Sequence, residues 1–167
     1  MKKIGVVDTM FARVDMGGIV LAALEERRGQ PEEWNVVRRT VPGFKDLAVA
    51  AKAMVEKDGC AIVVACGMPG GARLDRLCTH EASLGLALAQ LLTTTPILEV
   101  FVHEEEAMGS DAKLLAICTD RCAKHALNAH DMLFAPETLV ARAGKGVRQG
   151  CADAGPLVPA CAPCCGA

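Results

Sequence analysis

The residues best placed to do chemistry gather where a short apolar run meets a glycine-rich break. Cys60–Cys66 is apolar, and Gly67-Met68-Pro69-Gly70-Gly71 follows it. A charged turn then leads to Thr79-His80-Glu81 at the mouth of a long Ala/Leu stretch. In an open α/β sheet a ligand sits beyond the carboxyl ends of the strands, facing helix N-termini. Similar punctuation closes the other apolar runs. Thr9, Phe11, Arg13 and Asp15 follow the first, Pro42, Gly43, Lys45 and Asp46 the second, and His103 with Glu104–Glu106 the fourth. One rim of the sheet thus collects polar, aromatic and glycine-rich groups, which suits a planar ligand. Phe11 would stack, the glycines would let backbone approach, and amides would bind ring carbonyls.

Each feature also has a plain reading. Gly67–Gly71 reads as a turn. It is no phosphate loop, since no Gly-Lys-Ser/Thr follows. Lys45-Asp46 reads as a solvated helix start, where an acid favours the first turn. His80-Glu81 reads as a surface pair in a first helical turn, and the acid run Glu104–Glu106 as a solvated helix N-terminus. Cys118 and Cys122 with His125 put soft metal ligands on one helical face, and Cys161, Cys164 and Cys165 form a second soft cluster. Neither has the paired Cys-x2-Cys spacing of a structural zinc site.

The elements that must position these groups follow from periodicity. Strands are predicted at Lys3–Asp8, Trp34–Val41, Cys60–Cys66 and Ile97–His103. Helices are predicted at Met16–Arg28, Asp46–Lys57, Arg76–Leu92, Asp111–His130 and Glu137–Gly150. Gly29-Gln30-Pro31 would stop the first helix. Alternating strands and helices predict an α/β fold, a four-stranded parallel sheet covered on both faces. Its open edges point to an oligomer. Residues 1–150 read as one domain. Residues 151–167, rich in cysteine and proline, read as an unfolded tail.

Composition narrows the function further. The 167 residues are 51% hydrophobic and 23% charged, the balance of a globular chain. A net charge of −2 without an arginine-rich arm argues against a nucleic-acid partner. The longest apolar run, Leu84–Leu92, is too short to span a membrane. The N-terminus reaches Asp8 too soon for a signal peptide, so a cytoplasmic location is expected. The nine cysteines are odd in number and scattered, as reduced thiols would be. Cys60, Cys66 and Cys78 read as small core residues.

Several segments carry a resemblance. VVDTMFARVDM (6–16), RRTVPGFKDLAVA (38–50), GCAIVVACGMPG (59–70), LDRLCTHEASLGLALAQL (74–91), EVFVHEEEA (99–107) and AGKGVRQGCADAGP (143–156) resemble the archaeal-type riboflavin synthases. These are relatives of 6,7-dimethyl-8-ribityllumazine synthase. The resemblance runs in order over almost the whole chain and stops beyond Gly155. It implies a flavodoxin-like α/β/α sandwich, a homopentamer with sites between subunits, and use of magnesium. It also implies a dismutation in which two ribityllumazine molecules exchange a four-carbon unit, giving riboflavin and 5-amino-6-ribitylaminouracil.

The resemblance suggests roles as well. Phe11 would stack on the ring, and amides near Gly67 and Met68 would meet its carbonyls. Lys45 and Asp46 would hold ribityl hydroxyls or the ring edge, with Thr9, Pro42 and Gly43 beside them. His80 and His103 would move protons, with Glu81 orienting His80. Arg142 and Lys145 would reach in from the last helix, from the same or a neighbouring subunit. Glu104–Glu106 would offer oxygen ligands to the cation. Lumazine synthase is one alternative, since it shares Phe11, Val41-Pro42-Gly43, Asp46, Asp75 and Cys78. Where it carries a proton-transfer histidine, this chain has Arg73, and His80 lies in the riboflavin synthase pattern Cys-Thr-His-Glu. Arg142 and Lys145 resemble the basic residues of its phosphate site. A non-catalytic lumazine- or flavin-binding protein is the other alternative; it would need the stacking groups without the histidines.

Overall fold

A computed structural model describes residues 1–27 and 34–157. Four parallel strands, β1 (Lys2–Thr9), β2 (Trp34–Val41), β3 (Ile62–Gly67) and β4 (Ile97–Phe101), form a sheet in the order β2-β1-β3-β4. The helices are α1 (Met16–Glu25), α2 (Phe44–Glu56), α3 (Arg73–Thr93), α4 (Asp111–Phe134) and α5 (Pro136–Arg142), with a 3₁₀ turn at Glu104–Ala107 before α4. The register pairs Asp8 with Thr40 on one side and with Cys66 on the other.

Two cores flank the sheet because strand side chains alternate between its faces. On one face Ile4, Val6, Val64 and Val100 meet Val20 and Leu24 of α1 and Leu114, Ile117 and Cys122 of α4. On the other, Val7, Val63 and Ala65 meet Leu47, Ala51 and Met54 of α2 and Ala82, Leu86 and Ala89 of α3. β1 and β3 are buried through most of their length, whereas the edge strand β2 is buried only at Trp34. This is the predicted α/β class, in three layers.

Local chemistry sets the helix starts. Asp15 accepts from Gly18 N at 2.9 Å, and Ser110 from Lys113 N at 3.3 Å. Asp46 and Asp75 reach back to the amides of Gly43 and Ala72 at 3.0 and 3.3 Å, satisfying donors that the first turn leaves unpaired. These reaches move two predicted boundaries. Helix α2 begins at Phe44 rather than Asp46, and α3 at Arg73 rather than Arg76. The Cys-Thr-His-Glu segment therefore lies in the second and third turns of α3 rather than at its first.

The last predicted helix is shorter than expected. It ends at Arg142 because Gly144, Gly146 and Gly150 adopt left-handed backbone, with φ of 75°, 66° and 82°. The chain then folds back along α4. Lys124 Nζ donates to Arg148 O at 2.9 Å, and Gly150 N to Asp120 Oδ2 at 2.6 Å. Residues 151–157 carry no helix or strand and are exposed, yet Asp153 and Ala154 bond back to Arg148 and Gly146. The Gly29–Pro31 stop and Cys161, Cys164 and Cys165 lie outside the described residues.

Candidate active site

The strand order reverses between β1 and β3, and the expected rim residues meet there. Phe11 follows β1, Gly43–Asp46 opens α2, Pro69 and Gly70 follow β3, and Asp75 and Cys78 face in from α3. Together they bound a cavity of about 270 Å³.

Its floor is aromatic. The Phe44 ring stands edge-on to Phe101, with centroids 4.8 Å apart, and 5.6 Å from the Phe11 ring. Phe44 is buried, while Phe11 is 47% exposed. One ring is thus fixed by packing and the other presents a face to a ligand. Phe44 lies so close to β3 that a Cβ on Gly67 would meet its Cε1 at 2.5 Å. Gly67 serves the site by admitting this ring, a different use from the amide contact expected of it.

The mouth is charged. Lys45 Nζ lies 2.6 Å from Glu81 Oε2, tying α2 to α3, and this contact is the first cause that raises the lysine pKa. Asp46 is occupied in capping its own helix. Thr9 ends β1 on the α2/α3 side, since it alternates with Asp8, which faces α1. Thr9 is buried and does not line the cavity, and its Oγ1 has no hydrogen-bond partner among the described residues. A buried hydroxyl left unpaired costs about 1–3 kcal/mol.

Other expected residues lie elsewhere in the chain. Pro42 is exposed in the turn before α2 and does not line the cavity. Met68 is buried against the α1/α4 core. His80 is exposed on α3, about 160° around the helix from Cys78. It shares that outer face with the exposed Leu77, Leu84, Leu88 and Leu91. His103 caps the 3₁₀ turn, its amide donating to Glu106 Oε1 at 2.9 Å, and it does not line the cavity. Arg142 is bound to Asp131 near the far end of α4, and with Lys145 it lines a cavity beside Trp34, the first residue of β2. β2 spans about 23 Å at 3.3 Å per residue, so both basic residues lie at the end of their own sheet opposite the rim.

Phe44, Asp75 and Cys78 were absent from the expected site. Cys78 is half-buried in the cavity wall instead of sitting in the core. The sequence signal was available: Asp75 and Cys78 are three apart, one helical face. The resemblance already set this pair at the start of the helix, and the packing of α3 shows that it faces the cavity.

The expected cation set does not fit. Glu104 faces Arg13 at 3.4 Å, Glu105 pairs with Arg76, and Glu106 lies 2.6 Å from Arg121. Three carboxylates engaged by three arginines form no oxygen cage. Arg121 is the first cause holding the Glu106 carboxyl below its usual range. Among the described residues, no three His, Cys, Asp or Glu side chains converge as metal ligands. Burial pushes the Cys118 thiol up to about 11, and the Cys66 thiol is raised well above its ordinary value, first by its hydrogen bond with Cys122 and then by burial. These are protonated core thiols. Among the described residues no helix is long and apolar enough to cross a membrane.

A doubly wound parallel sheet with an aromatic cavity at its switch point is the architecture of an α/β protein with a small-molecule site. The chain belongs to the 6,7-dimethyl-8-ribityllumazine synthase family, whose model matches residues 1–137. It is 50% identical over 157 residues to a riboflavin synthase of Methanothermobacter thermautotrophicus, covering 94% of this chain and all of the relative. It is 52% identical to a riboflavin synthase of Methanothermobacter marburgensis, again over 94% of this chain and all of the relative. Identity is 45% with a riboflavin synthase of Aeropyrum pernix, over 93% of this chain and 98% of the relative. Within the family the chain belongs with the archaeal-type riboflavin synthases.

Proposed function

We propose that the chain dismutates two molecules of 6,7-dimethyl-8-ribityllumazine to riboflavin and 5-amino-6-ribitylaminouracil. The observation that carries this reading is the aromatic cavity: a half-exposed Phe11 above a fixed Phe44, at the switch point of a fold whose relatives are riboflavin synthases. The reaction needs two ring systems held in opposed orientation, which turns a rare encounter into an intramolecular step. Phe11 supplies one stacking face. Lys45, Asp75 and the Thr9 hydroxyl supply polar contacts to the ring edge or ribityl chain.

At about 270 Å³ the cavity of one chain lies below the usual size of a small-molecule site. A second copy would complete it, in a homopentamer with sites between subunits. The exposed leucines of α3 and the open edges of β2 and β4 support such an assembly. His80 and His103 would then act in proton transfer across that boundary, since neither faces the cavity of its own chain. We assign no magnesium ligand to Glu104–Glu106 and route no step through the ion.

The test is to incubate the protein with 6,7-dimethyl-8-ribityllumazine alone and follow riboflavin absorbance, with and without magnesium. Riboflavin formation is expected. Lumazine formation from ribitylaminouracil and dihydroxybutanone phosphate, without riboflavin, would make the chain a lumazine synthase. Tight lumazine binding with neither product would make it a carrier.

A further inference from the structure

We propose that Arg38 is a positioning residue for the stacking ring. Its guanidinium holds both ends of the loop that carries Phe11, and so sets where that ring stands over the rim cavity. The inference deepens the lumazine reading and rests on it for what Phe11 stacks upon. Arg38 itself does not line the cavity. The loop runs from Met10 to Val14, between the end of β1 and the cap of α1. Among the described residues, its main chain reaches a neighbouring element once, with Met10 N donating to Val41 O at 2.9 Å. Ala12 and Val14 pack in part on the α1/α4 core, while Met10, Phe11 and Arg13 are exposed. Phe44 is the one ring beside Phe11 among the described residues. The place of Phe11 therefore depends on how the loop is held.

Both ends are tied to one group. Asp8, one residue before β1 ends, and Asp15, the cap of α1, each accept from Arg38 Nη2 at 2.5 Å. That nitrogen carries two hydrogens, one for each carboxylate. The other Asp8 oxygen accepts from Thr40 Oγ1 at 2.7 Å, so the anchor on β1 does not turn. Gly17, in the first turn of α1, lies against the pair. A Cβ there would overlap both the Asp8 carboxylate and Arg38 Nε. The first turn of α1 closes over the anchor because that residue is glycine.

A second arginine holds the middle of the loop. Arg13 reaches Glu104 at 3.4 Å and Asp111 at 2.8 Å. The Arg13 and Asp111 side chains are 53% and 78% exposed, against 31% for Arg38 and 6% for Asp8. Solvent and salt screen the outer pairs far more than the inner one. Arg38 is therefore the tie that decides where the loop sits.

Two variants loosen this tie without stranding Asp8. Asp15→Ser keeps an N-cap, because serine caps about as well as aspartate, but its hydroxyl is too short to reach the guanidinium. Arg38→Lys keeps a cation beside Asp8 and replaces the fork with a single ammonium. The full chain is labelled with para-fluorophenylalanine, which gives one fluorine resonance for each of its four phenylalanines. Phe11→Leu and Phe134→Leu identify the loop resonance and a control near the far end of the sheet. In both variants the Phe11 resonance should move toward its unfolded position while that of Phe134 stays. Ribityllumazine affinity should fall by about tenfold, as for a misplaced binding group. In a Phe11→Ala background Asp15→Ser should cost no further affinity, because the tie acts through that ring. An unmoved Phe11 resonance in both variants would overturn the proposal. So would an affinity loss that persists undiminished without the Phe11 ring, since Arg38 would then act on the fold at large. The resonances are read without ligand, so they decide this proposal whether or not the chain makes riboflavin.

Discussion

Phe44 seats the edge of its ring against the backbone of Gly67, in space that no other residue type leaves open. The pair locks the start of α2 to the end of β3 and fixes the floor of the rim cavity. Gly67→Ala should push the ring out of place. The expected cost is about 1–3 kcal/mol of stability, as for overpacking of a tight core. The larger effect should be on the reaction, with riboflavin formation reduced by about tenfold or more at temperatures where the variant is folded. Denaturant unfolding beside steady-state turnover checks both.

Thr9 offers a cleaner probe because its hydroxyl has no partner to lose. Thr9→Val keeps the shape and removes the group. The ligand-free protein should be as stable as the parent or slightly more so. Ribityllumazine affinity should fall by about five- to tenfold, the loss of one hydrogen bond. A lower melting temperature with unchanged affinity would assign the hydroxyl to the fold instead.

Behind the rim, Arg38 Nη2 lies 2.5 Å from Asp8 Oδ2 and 2.5 Å from Asp15 Oδ1, and Thr40 donates to Asp8 at 2.7 Å. Arg38 joins β2 to β1 and to the cap of α1, and its contact is the first cause lowering the Asp15 pKa. The Asp8 side chain is 6% exposed and the Arg38 side chain 31%. Arg38→Ala would strand a buried carboxylate. The cost should be about 2–4 kcal/mol, somewhat below that of a wholly buried pair. Arg38→Ala combined with Asp8→Asn should recover much of it, read by urea unfolding.

His125 sets part of the acid limit of stability. Burial, and then Arg121, lower its pKa from 6.5, and its Nδ1 is buried without a partner. The unfolded chain therefore takes up a proton in a range where the fold does not. Stability should be complete above pH 6.5 and fall as pH drops from there toward the lowered value. His125→Phe should flatten that part of the profile, measured by thermal melts across pH 5–7 (about the range where histidine titrates). An unchanged profile would remove His125 from the acid response.

His80 and His103 separate the monomer from the assembly. His80→Ala and His103→Ala should each lower turnover far more than ribityllumazine binding if they transfer protons across a subunit boundary. Equal losses in both would remove that role.

The sequence by itself determined the alternation of strand and helix, the four-stranded parallel sheet, and the gathering of Phe11, Gly43, Lys45 and Asp46 at one rim. Those features are local: apolar runs of strand length, helical spacing and glycine punctuation each act over a few residues. Which rim residues share a cavity was decided only by tertiary structure. Back-reaching Asp75 starts α3 three residues earlier than periodicity suggested, and the packing of α3 through Ala82, Leu86 and Ala89 leaves Cys78 facing the cavity and His80 outward. Gly144, Gly146 and Gly150 end α5, and Asp131 holds Arg142 at the far end of the sheet. Three arginines, distant in sequence, claim the acid run that looked open to a cation. Helix phase, capping and long-range ion pairs depend on where segments pack, and the one-dimensional pattern carries no record of that.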